Sequence, residues 1–208
     1  MNHVAVTSAL VLAVNVLPGQ APIKTIEDGA LDRIELFVRA LEHPERLTLD
    51  VVPFDVAGVD LGTGSKDGKD ARQQEAKTIQ NDGPRLLAES VVSALQGAPF
   101  RSVRMASAKG DAVAEEGLVL EGRFVQIDPG SRAKRYFVGF GAGKSSVKVV
   151  GTVKDRTGRL LASFEQRRIG AVGMGGGDSL GKLMSDTKSI GQDIGKFLAR
   201  WARGASLE

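Results

Sequence analysis

The chain opens on an apolar block, Val4 to Leu17, broken only by Thr7, Ser8 and Asn15. Its length suits a signal-peptide apolar region and falls short of a spanning helix, which needs about 20 residues. Gly19 and Ala21 suit a cleavage site, whereas the missing basic start and Pro22 oppose one. A signal segment and an ordinary strand or helix therefore stand as equal readings of residues 4–17. Further on, Leu31, Ile34, Phe37, Val38 and Leu41 recur at helical spacing, predicting a short amphipathic helix over 28–41 that Pro44 stops. Leu47, Leu49 and Val51 then alternate with polar residues and lead into Val52-Pro53-Phe54. This is a strand whose proline marks an edge or a bulge. Gly58 to Asp70 reads as a loop.

A second helix is predicted from Asp70 to Gln96, with Ile79, Leu86, Leu87, Val91 and Leu95 on one face. Asn81-Asp82-Gly83-Pro84 interrupts it, and a proline that lacks a donor and crowds the preceding turn implies a kink or a fresh start there. Pro99 to Met105 is a short strand candidate. Leu118 to Ile127 has period two, and Asp128-Pro129-Gly130 turns the chain towards a run from Lys134 to Phe140, a first hairpin. Val147 to Lys154 and Leu160 to Arg167, joined by Asp155-Arg156-Thr157-Gly158, form a second hairpin. After the glycine-rich stretch Ile169 to Gly181, a last helix over 185–203 places Ile190, Ile194, Phe197, Leu198 and Trp201 on one stripe.

This order predicts an α+β fold, a single mixed, mostly antiparallel sheet covered by two or three helices, without strict βαβ alternation. Residues 1–45 read as an N-terminal segment, 46–204 as a single α+β domain, and 205–208 as a tail in which Leu207-Glu208 has the look of a cloning remnant. At 208 residues, 42% hydrophobic and 25% charged, the chain suffices for one good core.

The formal charge of +3 conceals an asymmetry. Residues 27–60 carry nine acids against Arg33, Arg39 and Arg46, whereas residues 131–168 carry ten bases against Asp155 and Glu165. A basic block of that kind suits nucleic acid, anionic lipid or an acidic partner, and equally suits solvated strand faces and hairpin tips. The absence of cysteine excludes thiol nucleophiles, thiolate metal sites and disulfides. With only His3 and His43, neither a histidine metal cluster nor a catalytic triad has material to build on. No pair of carboxylates has the spacing of an acid and base facing one substrate. The reading is a non-catalytic module without cofactor or metal.

Gly139-Phe140-Gly141-Ala142-Gly143-Lys144-Ser145 invites comparison with a phosphate-cradling loop, but G-x-x-x-x-G-K-S would need glycine where Val138 stands. Ser146 to Lys154 also alternates as a strand, so no helix N-terminus follows to face a phosphate. The glycines more simply mark a bend or a close backbone approach. Lys144 and Ser145 could still hold an anion through exposed donors, and anion or nucleotide binding through 139–145 is the alternative function. Gly173-Met174-Gly175-Gly176-Gly177-Asp178 follows no strand of a dinucleotide fold and reads as a connection into the last helix. Tyr136, Phe137 and Phe140 beside Arg132, Lys134 and Arg135 offer the one place where bases could stack next to positive charge. Alternation accounts for them more simply, so nucleic acid is not favoured.

Several of these residues together resemble an uncharacterised family of bacterial cell-envelope proteins, many of them lipoproteins. The resemblance lies in Gly130-Ser131-Arg132-Ala133 with Arg135, Val138 to Ser145, Asp155 with Gly158, Phe164 to Gly170, Gly176-Gly177-Asp178, and Asp193-Ile194 with Lys196-Phe197-Leu198. Pro53-Phe54 fits as well. The architecture so implied is similar to that of curli-secretion lipoproteins, the amino-terminal part of TolB, and outer-membrane activators of peptidoglycan synthases. It implies a periplasmic or envelope location, outer-membrane association, and membrane attachment through a lipid anchor alone. The lipid-bearing cysteine of such proteins has no counterpart here. The expected partner is another envelope protein or a second copy of the chain, met through Arg132, Lys134, Arg135, Gly139, Gly141, Gly143, Lys144 and Ser145.

Overall fold

A computed structural model describes residues 21–62, 69–106, 117–130, 144–170 and 179–207. They form β1 (Lys24–Glu27), β2 (Arg33–Leu36), a 3-10 turn (Pro44–Arg46), β3 (Thr48–Val51), α1 (Lys69–Ala94), β4 (Ser102–Met105), β5 (Gly117–Asp128), β6 (Ser146–Asp155), β7 (Leu160–Ile169) and α2 (Ser179–Ala202). One seven-stranded sheet results, in the order β1-β2-β7-β6-β5-β3-β4. With β3 parallel to β4 and β5 and the other pairs antiparallel, the sheet is mixed and mostly antiparallel, and the fold is α+β, with two helices among the described residues.

The long strands follow from their period-two patterns, which put Leu118, Leu120, Phe124, Val147, Val149, Val153, Ala162 and Phe164 into the core. Gly158 takes a φ of 84° and closes the β6–β7 hairpin where the sequence places it. Helix α2 packs its apolar stripe on β6 and β7 and lies against α1, with Gly191 beside Leu87 and Ser90 and Gly195 beside Val91 and Ala94. Since contacts advance together along both helices, α1 and α2 run parallel. Their backbones come close because neither glycine carries a Cβ. Four aromatic rings, Phe54, Phe164, Phe197 and Trp201, form a column from sheet to helix, with Phe197 and Trp201 stacked at 5.8 Å.

Several expectations are corrected. Residues 28–41 form no helix: Asp28, at φ 53°, begins a turn closed by its N–H to the Asp32 carbonyl. The chain then buries Ile34 and Leu36 at strand spacing against Phe164 and Ala162 of β7. Pairing with a distant strand overrides the local helical spacing, and the sheet reaches upstream of residue 46. Strand β3 is neither edge nor bulged. It lies between β5 and β4, entirely buried, and ends before Pro53. Beyond it the chain runs along β5, exchanging hydrogen bonds between Asp55 and Gly122, Asp55 and Phe124, and Asp60 and Ile127. Helix α1 is not restarted at Pro84, because Ile79, Leu87, Ala88 and Val91 on either side are fully buried and hold both halves.

Helix α2 starts at Ser179, not at 185, since Leu183 extends the apolar stripe backwards to complete burial. β5 pairs with β6 and β3, while the expected partner run at 134–140 lies outside the described residues. The apolar run 4–17 also lies outside them. Leu207 packs into the fold: it is 5% exposed, belongs to the core cluster, and its carbonyl lies against Gly29.

Candidate functional site

At one end of the sheet β5 finishes, β6 begins and β7 finishes, with Asp128 opposite Ser146 and Ser146 opposite Ile169. Asp128 accepts the Gly130 N–H at 2.7 Å, which turns the chain out of β5. Ser146 Oγ donates to Gln126 Oε1 at 3.1 Å, and Gln126 Nε2 reaches Asp60 at 3.4 Å, tying the segment after β3 to the same end. The Gly170 N–H donates to the Ser145 carbonyl at 2.8 Å. Ser179 Oγ donates to Glu75 Oε2 at 2.6 Å and joins the starts of the two helices. The chain therefore leaves the described structure at 62, 130 and 170 and re-enters at 69, 144 and 179 at one end of the fold. The flanks of both glycine-rich stretches meet there.

Of the residues singled out from sequence, Arg132, Lys134, Arg135, Gly139, Gly141 and Gly143 lie outside the described residues. Lys144 is half-buried, and Ser145 is 5% exposed. A methyl group at Gly170 would collide with Ser145 Oγ and lie 2.6 Å from Lys182 Cε, so this contact is close-packed. Ser145 is thus buried against Gly170. The segment after it is strand β6, the geometry that argues against a phosphate loop.

Among the described residues of the basic block, four are paired within the fold. Lys148 pairs with Glu165 and Lys154 with Glu121, each at 2.7 Å, Arg159 pairs with Asp155 at 3.0 Å, and Arg168 pairs with Asp193. Lys148, Glu165, Lys154, Glu121, Arg33 and Glu35 stand on the sheet face away from the helices, where opposite charges alternate across the strands. A surface so neutralised is a solvated sheet face rather than a basic patch.

One cluster escaped the sequence reading. Arg168 faces inward from the end of β7 towards α2, where its Nη2 donates to Asp193 Oδ2 and Lys196 adds a second cation at 3.5 Å. Asp186, two turns before Asp193, has one buried oxygen without a partner, as does Arg168 Nε. Burial lifts the Asp186 carboxyl above the ordinary aspartate range, against the pull of Lys182 and Arg168. The signal was present as an arginine at an inward position, two residues beyond Gln166 in the alternation Ala162, Phe164, Gln166. Among the described residues no three His, Cys, Asp or Glu side chains could share a metal ion, and no helix is long and apolar enough to cross a membrane.

The fold has distant relatives among solved structures. A PelC dodecamer from Paraburkholderia phytofirmans is 12% identical, with a TM-score of 0.41, 77% of this chain covered and 97% of that one. An uncharacterized protein is 15% identical, with a TM-score of 0.40 and 76% and 95% covered. A candidate lipoprotein from Caulobacter crescentus is 14% identical, with a TM-score of 0.30 and 59% and 84% covered. Likenesses this distant carry nothing over to this chain. No curated protein matches it. Residues 50–174, more than half of the chain, match the family described as a domain of unknown function, DUF4410, and the protein belongs to that family.

Proposed function

We propose that the protein is a non-catalytic binding or assembly module of the bacterial cell envelope, meeting an envelope protein or a second copy of itself through the end of the sheet built around Ser145 and Gly170. The observation that carries this reading is the hydrogen bond between those residues, which draws the flanks of two glycine-rich stretches, far apart in sequence, to one place. Chain segments gathered at one end of a rigid sheet are a common arrangement for recognition. Ile169, 54% exposed beside them, adds apolar surface at the same end. The envelope location, and a likeness in architecture to curli-secretion lipoproteins and TolB, rest on the sequence resemblance.

The test is retention of partners from a bacterial envelope extract, run beside light scattering of the purified chain. A double variant, Lys144→Glu with Ile169→Asp, is compared with Arg156→Ala at the opposite hairpin tip. Loss of a partner or oligomer in the first variant and its survival in the second supports the reading. A monomer that retains nothing from the extract sinks it.

A further inference from the structure

The sheet ends in two strands, β1 and β4, that each have one neighbouring strand among the described residues. Followed through four antiparallel and two parallel ladders, β1 and β4 run in the same direction. Their faces agree as well. Ile26 of β1 pairs with Ile34 in the core, and Val103 of β4 is the partner of buried Leu49, so both look towards the helices. Thr25 and Glu27, like Ser102 and Arg104, stand on the opposite face.

The backbone hydrogen bonds are also in phase. In a ladder, every second residue of a strand turns both its backbone groups to the same side. The Asp28 N–H bonds to the Asp32 carbonyl, so the even-numbered positions of β1 face β2, and Thr25 and Glu27 direct their backbone groups outward. The Ala106 N–H bonds to the Val51 carbonyl, so Ser102 and Arg104 face β3, and Val103 and Met105 direct theirs outward. Parallel strands join where an outward residue of one sits between two outward residues of the other. Val103 set between Thr25 and Glu27 of another copy meets this condition. Its N–H then donates to the Thr25 carbonyl, the Glu27 N–H donates to the Val103 carbonyl, and the Met105 N–H donates to the Glu27 carbonyl. This register places Ile26 beside Val103 on the helix face, with Thr25 beside Ser102 and Glu27 beside Arg104 on the other. Apolar meets apolar, hydroxyl meets hydroxyl, and acid meets base. Glu27 is exposed, and Arg104 is half exposed even while it holds Asp50.

Short edge strands that carry charge usually discourage pairing. Against that stands their apolar surface. Of the exposed large apolar side chains among the described residues, Ile23, Met105 and Ile169, the first adjoins β1 and the second ends β4.

We propose that copies of this chain join edge to edge, β1 of one pairing in parallel with β4 of the next, so that the sheet and its helix layer continue from copy to copy. Because the two edges differ, the contact is head-to-tail and repeats along a ring or a filament. It uses the sides of the sheet, apart from the end around Ser145 and Gly170, and so goes beyond the reading above without depending on it.

Cross-linking tests this directly in a chain that has no cysteine of its own. Thr25→Cys and Ser102→Cys, both at exposed positions, are made singly and together and treated with a mild oxidant. Neither single variant should cross-link alone, an equal mixture should give a dimer, and the double variant should give a ladder at multiples of 22.0 kDa. Met105→Pro removes one outward N–H and should slow the mixed cross-link about tenfold, with the circular dichroism of the fold unchanged. Glu27→Arg, which sets like charges against Arg104, should slow it too. A dimer from either single variant alone, no dimer from the mixture, or a mixed dimer that neither Met105→Pro nor Glu27→Arg slows overturns the edge pairing. Lys144→Glu with Ile169→Asp should leave the mixed dimer intact, so failure of the extract experiment leaves the edge pairing standing, and failure of the cross-link leaves the binding module standing.

Discussion

Gly122 and Gly151 are partners across the β5–β6 ladder, and each lies under a phenylalanine ring, Phe54 over Gly122 and Phe164 over Gly151. The missing side chains leave a hollow in the sheet, and the two rings, 6.5 Å apart, fill it and lead on to Phe197. Glycine weakens a strand by itself, and here the paired glycines leave the space that the two rings occupy.

Alanine at Gly122 would drive its methyl into the Val150 carbonyl oxygen and the Phe54 ring, whereas the atoms nearest to a methyl at Gly151 all belong to the Phe164 ring. From the usual cost of overpacking, Gly122→Ala should lose about 2–3 kcal/mol and Gly151→Ala about 1–2 kcal/mol. Urea unfolding followed by the emission of Trp201, the single tryptophan, measures both. Equal losses would show that the rings, rather than the backbone oxygen, set the cost.

Asp155 and Asp186 should pull the pH dependence of stability in opposite directions. Burial pushes Asp155 up, but the Thr157 hydroxyl and amide and the Arg159 amide and guanidinium outweigh it and hold the carboxyl below its ordinary value. Its stabilisation is present above the unfolded-state value, about 3.9, and is lost as pH falls through the depressed folded value. Asp186 is raised, so its effect is full at low pH, and stability drains away as pH climbs from about 3.9 through its folded value. Denaturation between pH 3 and 7 should show Asp155→Asn removing part of the acid-side loss and Asp186→Asn removing part of the loss above pH 4.

Asp50 lies on β3 with a side chain only 5% exposed, facing Arg104 of β4. Removing one partner of a buried pair strands the other charge. Since Arg104 is itself half exposed, Arg104→Ala should cost about 2 kcal/mol, below the 3–5 of a fully buried pair. Asp50→Asn in the same chain should recover most of it. A double-mutant cycle by thermal melting checks this, and additive losses would mean that the two residues do not interact.

Leu207→Ala should lower stability by about 2 kcal/mol, the low end for a buried leucine, because the side chain is in the core cluster. A melting temperature unchanged from the parent protein would place Leu207 outside the core.

Much of this architecture is legible in the residues. Val147 to Lys154 and Leu160 to Arg167 alternate cleanly around Asp155 to Gly158, and local geometry alone makes them a hairpin. The stripe from Ile190 to Trp201 likewise announces α2. Residues 28–41 mislead because Leu31, Ile34, Phe37 and Leu41 satisfy a helix in isolation, and only pairing with β7 decides otherwise. The polar cluster is hidden for a related reason. Arg168 becomes notable once its strand parity points it at Asp186 and Asp193, and that orientation belongs to the packing of α2 on β7. The glycine stretches are visible as motifs, whereas their shared anchor at Ser145 and Gly170 is a property of the assembled sheet.

The place of β2 in the sheet bears on the order of folding. The Asp32 amide bonds to Gln166, 134 positions away along the chain, so the first hairpin cannot dock until most of the polypeptide is available. Closing so long a loop is entropically slow. On a ribosome the β1–β2 ribbon would emerge early and wait, its apolar Ile26, Ile34 and Leu36 uncovered, until β7 arrives. A chain built this way gains from a holding factor during synthesis, and its early ribbon is the segment most exposed to wrong pairing.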